Sequence, residues 1–166
     1  MVLATVSMGE ANGVGETQQT TVTDYNMGIV DEYNSTPSSS NAIPRGAATG
    51  AGYGMEKWTI YYVTAMNDST TIDNFKVWKS AGTYETAANL YFDDVIVGSY
   101  TQPTVSQSSV ALTTMPISEP ASNVQGSIVA NTTYNTYYGV MQYHADVTHP
   151  PGSIATLTIT FQYDES

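Results

Sequence analysis

Cysteine is missing from this 166-residue chain, and with it go disulfide cross-links, thiolate zinc sites, iron–sulfur clusters and cysteine nucleophiles. Positive charge is scarce: four lysines and arginines stand against 15 acids, a net charge of −11. Such a chain repels a phosphate backbone at nearly every approach, so no nucleic-acid partner is expected. Charged residues of both signs make up 11%, under half the roughly 25% usual in soluble globular proteins, which leaves uncharged polar side chains to cover the surface. No apolar run approaches the roughly 20 residues of a membrane-spanning helix, no basic amphipathic stretch suits a membrane surface, and no membrane partner is expected. The opening Met1–Met8 has neither a basic nor an apolar leader region, so no secretory signal is expected.

What the chain does have is period-two alternation of apolar and polar residues. In Ile154–Tyr163, Leu157, Ile159, Phe161 and Tyr163 point one way and Thr156, Thr158, Thr160 and Gln162 the other, the pattern of a half-buried antiparallel strand. In Lys57–Met66 both parities carry apolar residues, so both faces of that strand are expected to be covered. Val2–Met8, Thr17–Met27, Ile72–Lys79, Asn89–Val97, Val105–Thr114 and Tyr137–Val147 are further strands by their Val, Ile, Thr, Tyr and Phe content. Turn chemistry separates them at Asn12-Gly13, Asn67-Asp68-Ser69, Ala81-Gly82, Gly98-Ser99, Gln125-Gly126 and Pro150-Pro151-Gly152. No segment repeats an apolar face at helical spacing. The expected fold is all-β: one domain over residues 1–166, a single antiparallel β-sandwich or jelly roll of about eight strands. A long polar loop over residues 28–54 reads as an arm or contact loop, and Met115–Asn123, with two prolines, as a crossing between sheets.

Residues with chemical potential are few. The two histidines, His144 and His149, flank Asp146, and a strand would place His144 and Asp146 on one face, where a metal site could be drawn; the spacing is weakly specific, and a solvent-facing polar strand edge is the expected reading. Asp68, Asp73, Asp93 and Asp94 are oxygen donors of the kind Ca²⁺ prefers but lack the EF-hand spacing, and solvated turn charges account for them. Carboxylate pairs could be drawn from Glu10, Glu16, Asp31 and Glu56, as from any acidic chain. Gly9–Gly15 imitates a phosphate loop without the Lys-Ser/Thr that would complete it, and there is no Gly-x-Ser-x-Gly elbow. No catalytic residue, metal ligand or cofactor is assigned, and a non-enzyme is expected. The Asn-x-Ser/Thr triplets at Asn34, Asn67 and Asn131 are what chance gives in so Ser- and Thr-rich a chain.

Thirteen tyrosines and two tryptophans remain. Trp58 and Trp78 sit mid-strand among apolar neighbours and are expected in the core. Tyr134, Tyr137 and Tyr138, beside Asn131, Thr132, Thr133 and Asn135, are candidates for an exposed face. Tyr25, Tyr33, Arg45, Tyr53 and Tyr137 are the candidate contact residues; Arg45 is the only arginine and sits in the long loop.

Gly9–Thr17, Met55-Glu-Lys-Trp58 leading a strand, Ile72–Gly82, and Pro151-Gly152 followed by Leu157–Glu165 together resemble a loose group of virion structural proteins of tailed bacteriophages and related prokaryotic viruses. The resemblance implies a β-sandwich that decorates or stabilises a particle through capsid contacts and as a homo-oligomer such as a trimer. It implies assembly in host cytoplasm and brings no catalytic residues. The rival expectation is a carbohydrate- or receptor-binding β-sandwich module working through exposed aromatics.

Overall fold

The structure, a computed structural model, describes residues 2–44, 52–96, 100–129, 137–152 and 155–166. Arg45, Tyr134 and Asn131 lie outside the described residues, as do Gly98 and Ser99. The fold is all-β, with nine strands in two sheets and a single 3-10 turn at Ser39–Asn41 among the described residues. The strands are β1 (Thr5–Asn12), β2 (Thr17–Gln19), β3 (Gly52–Tyr53), β4 (Lys57–Ala65), β5 (Ile72–Ala81), β6 (Ala88–Ile96), β7 (Thr113–Thr114), β8 (Tyr137–Ala145) and β9 (Thr158–Glu165).

The large sheet runs β2-β1-β4-β8-β6-β7, with β3 also paired to the end of β8, ahead of the start of β4. All of its pairings are antiparallel. The Asn12-Gly13 turn closes the β1–β2 hairpin; Gly13, at φ +70°, occupies the left-handed region that a residue without Cβ enters at no steric cost. The small sheet is the β5–β9 pair. Between the sheets lies the main core, with Tyr61, Val63, Phe75, Val77, Leu90, Phe92, Met141 and Tyr143 buried and Leu157, Ile159, Phe161 and Tyr163 of β9 packed on it. Tyr61 fastens the two sheets: its hydroxyl lies 2.9 Å from the Lys76 carbonyl and 3.1 Å from that of Gln162, and its ring centroid is 4.3 Å from that of Phe75. Burial of its hydroxyl, away from water, drives the Tyr61 pKa upward.

The opposite face of the large sheet is also covered, as the double alternation of β4 requires. Trp58, Ile60, Tyr138 and Val140 form a second core under Tyr100, Val110 and Leu112 of an irregular strap, residues 100–112. The chain then pairs briefly with β6 as β7, drops Met115 into the main core and bonds the edge of β5 through the Pro116 carbonyl. This is the crossing expected of Met115–Asn123.

Several expectations are corrected. Only Thr17–Gln19 of the segment 17–27 pairs as a strand, because after a last bond from Val22 N–H to the Met8 carbonyl the chain turns Tyr25 and Met27 onto the core. Of Val105–Thr114 only the last two residues form a strand; the rest of that span belongs to the strap. Trp58 is fully buried, but Trp78 is half-buried and belongs to neither core. The cause is the bulge at Asn74 (φ +49°), where register shifts between Asp73 and Lys76, so Ile72, Phe75 and Val77 all face inward and Trp78 faces out. Tyr138, a candidate for an exposed face, is 1% exposed and packs edge-on against Trp58 at 5.5 Å.

Candidate functional site

The densest group of ionisable side chains gathers where the β1–β2 hairpin, the start of β4 and the base of the long loop meet. Glu10 and Lys57 are both fully buried on the face of the large sheet that looks toward β5 and β9, beyond the reach of those two strands. Lys57 Nζ donates to Glu10 Oε1 at 3.2 Å and to the carbonyls of Val30 and Glu32 at 3.0 and 3.2 Å. Asn12 Nδ2 donates to Glu10 Oε1 at 2.7 Å and to Asp31 Oδ1 at 3.1 Å, and Asp31 Oδ2 accepts the Gly13 amide at 2.9 Å. The ammonium thus hooks an irregular segment, residues 30–32, over sheet that no strand covers.

A matching node sits on the opposite face. Buried Glu56 accepts the Thr104 amide on Oε2 at 3.1 Å while its own amide donates to the Thr104 carbonyl at 3.1 Å. Gln142 Nε2 donates to the carbonyls of Gly54 and Ser106 at 3.1 and 2.7 Å, and its Oε1 accepts the Ser108 amide at 3.0 Å. Tyr100 donates to the Gly13 carbonyl at 2.7 Å, and Tyr138 donates to Glu16. Burial first, and then the charges of Asp31, Glu16, Glu10 and Glu56, hold the Tyr100 pKa far above the ordinary phenol range, so it stays a donor. Of the carboxylates offered for paired chemistry, Glu10 and Asp31 meet through Asn12; each of the four is engaged by a neighbouring donor. Beside them an open cleft of about 240 Å³ is lined by Asn12, Thr17, Asp31, Glu32 and Tyr33.

The histidines are placed otherwise. Strand β8 ends at Ala145, and Asp146 caps the following turn, accepting both the amide and hydroxyl of Thr148 at 3.0 Å; those bonds lower its pKa. His144 is stacked on Tyr53 at 4.7 Å and meets Tyr91 edge-on at 5.8 Å; desolvation outweighs the pull of Asp146 and lowers its pKa. Asp93 and Asp94 are consecutive on β6 and point to opposite faces, while Asp73 pairs across the ladder with Asp164. Among the described residues no group of three or more His, Asp or Glu is arranged to hold a metal ion.

Four of the candidate contact residues lie among the described residues. Tyr33 is 43% exposed on the cleft, and Tyr53 lies on β3 against His144. Tyr137 opens β8 opposite Ile96. Tyr25 is turned inward, its ring 6.3 Å from Phe161 and its hydroxyl buried, which drives its pKa upward.

Sequence reasoning passed over the edges of the small sheet. The outer edge of β5 is covered: Val77 N–H donates to Asn123 Oδ1 at 2.8 Å, Asn123 and Val124 amides donate to the Phe75 carbonyl, and Ile72 and Ile128 exchange two bonds. The outer edge of β9 receives no hydrogen bond from any described residue. The signal was present in Thr158–Tyr163, six residues of high β-propensity without a charge or a proline. Set against family models, curated proteins and solved structures, the chain matches none of them.

Proposed function

We propose that this chain is a non-enzymatic structural protein of a virion, a β-sandwich that decorates or stabilises the particle through contacts with its own copies and with capsid proteins. The observation that carries the reading is the outer edge of β9, which no described residue pairs with. A strand edge with an uncharged run such as Thr158–Tyr163 is a template for another chain, and proteins that work alone blunt such edges with lysine, proline, a bulge or a covering loop. This chain covers β5 in that way, whereas no described residue bonds the outer edge of β9. The buried polar side chains support the same role, since Glu10, Lys57, Glu56 and Gln142 are spent on holding backbone segments in place. The strongly acidic surface favours placement outside the packaged nucleic acid. Light scattering on the purified chain across the micromolar range, with electron microscopy of the native assembly, tests the reading. A concentration-dependent multimer that locates to a particle surface is expected; a monomer at every concentration that ignores the particle refutes it.

A second reading, a carbohydrate-binding module, is favoured by Trp78. Its half-exposed indole stands on the outer face of the small sheet opposite Thr160, whose hydroxyl donates to Ser80 Oγ at 2.6 Å. An indole face flanked by neutral hydroxyls suits stacking on a neutral sugar ring. Saturable glycan binding abolished by Trp78→Ala would establish this reading, and a glycan screen without hits would dismiss it.

A further inference from the structure

We infer that β9 pairs antiparallel with β9 of a second copy about a two-fold axis through Phe161, joining two small sheets into one four-stranded sheet, β5-β9-β9′-β5′. The inference rests on the assembly reading and names its partner, surface and register.

Three observations select a second copy. First, the small sheet has two strands, and one of its edges is sealed by residues 116–128, so among the described residues the β9 edge is the one left for a further strand. Second, Ile159, Phe161 and Tyr163 pack on the main core yet keep part of their surface in solvent, as apolar side chains at an unfinished sheet edge do. Third, the sequence of β9 is complementary to itself. A two-fold axis perpendicular to the sheet keeps inward residues beside inward residues, which requires directly opposed positions of equal parity. Centring on Phe161 pairs residues 158–164 with their mates. Inside, Phe161 meets Phe161 of the copy and Ile159 meets Tyr163. Outside, Thr160 meets Gln162 and Thr158 meets Asp164. No like charges are opposed, whereas shifting the centre to Asp164 would set that carboxylate against itself and shorten the overlap.

Charged side chains on the outer face are already engaged within the chain. Lys76 is paired with Glu119 at 2.6 Å, and Asn74 Nδ2 donates to Asp164 Oδ2 at 3.0 Å. The contact therefore forms from backbone hydrogen bonds and the apolar inner row, the mode by which an extended strand adds to an exposed sheet edge.

The absence of cysteine makes the register directly readable. Mixing Thr160→Cys chains with Gln162→Cys chains under a mild oxidant is expected to give a disulfide-linked heterodimer. Ser80→Cys, on the sealed β5 strand, serves as the unlinked control. In parallel, the double variant Thr160→Glu with Gln162→Glu places like charges opposite each other twice and is expected to weaken the dimer roughly tenfold or more. Thr160→Lys with Gln162→Glu is expected to restore it. All three positions, Ser80, Thr160 and Gln162, face outward, so unchanged melting at low concentration reports an intact fold. An oligomer whose mass ignores both charge variants and that forms no 160–162 cross-link overturns the edge pairing and leaves the assembly reading standing. A chain that stays monomeric at all concentrations overturns both.

Discussion

The part of the large sheet that faces β5 and β9 and the parts covered by irregular chain are held by different means. Where strand packs on strand, the cover is apolar: Phe75, Val77, Phe92 and Met141 interdigitate, and Tyr61 supplies the main polar contact between the sheets. Where residues 30–32 or 100–112 form the cover, a buried polar side chain grips it, Lys57 in one case and Glu56 with Gln142 in the other. The difference follows from backbone hydrogen bonding. A strand brings its amides and carbonyls already paired, whereas an irregular segment buries them unpaired unless side chains of the sheet reach out to meet them.

That contrast can be broken most severely at Lys57. Lys57→Met strips the carbonyls of Val30 and Glu32 of their donor and leaves Glu10 buried opposite no cation, and is expected to cost about 3–5 kcal/mol by chemical denaturation. Adding Glu10→Leu is expected to recover much of the loss, since an apolar pair removes the buried charge. Recovery of none would mean that hooking the 30–32 segment, and not charge pairing, dominates the node.

Gln142→Ala releases the strap instead. A loss of about 1–3 kcal/mol is expected, with residues 100–112 becoming sensitive to limited proteolysis while β5 and β9 stay protected. Uniform sensitivity across the chain would show that the two regions unfold as one and erase the distinction.

A smaller effect concerns pH. Desolvation lowers the His144 pKa in the folded protein below the roughly 6.5 of the unfolded chain. The unfolded state therefore takes up the proton first, and stability falls as pH drops through about 6.5. His144→Phe, which keeps a ring against Tyr53 and Tyr91, is expected to flatten the dependence of melting temperature between pH 7 and 5.5. An unchanged slope would assign that dependence to other groups. The smallest change is expected from Trp78→Ala, which empties no core and is expected to shift stability by under about 1 kcal/mol. A loss as large as that of a buried aromatic would place Trp78 with the core after all.

Much of the architecture was legible because alternation records which face is covered. Leu157, Ile159, Phe161 and Tyr163 showed a half-buried strand, and the doubly apolar Lys57–Met66 showed a strand covered on both sides; both features are present. Trp78 was legible in part: Phe75 and Val77 imply that residue 78 points outward, but reading the strand from Ile72 without the bulge gives the opposite face. The strap was not legible as a strap. Its Val and Leu residues have strand-like propensity, and it is Gln142 and Glu56, contributed from elsewhere in the chain, that take up amides and carbonyls a ladder would otherwise use. The node at Lys57 was hidden for the same reason, since the groups that bury it come from a distant loop. The open edge of β9 was hidden because sequence alternation reports faces, not edges.

The assembly account turns on that edge, and amide hydrogen exchange resolves it strand by strand. Measured at low and high protein concentration, the β9 amides that point away from β5 are expected to gain protection as concentration rises, while β5, sealed by residues 116–128, keeps the same protection throughout. Equal exchange of β9 at both concentrations would contradict the account.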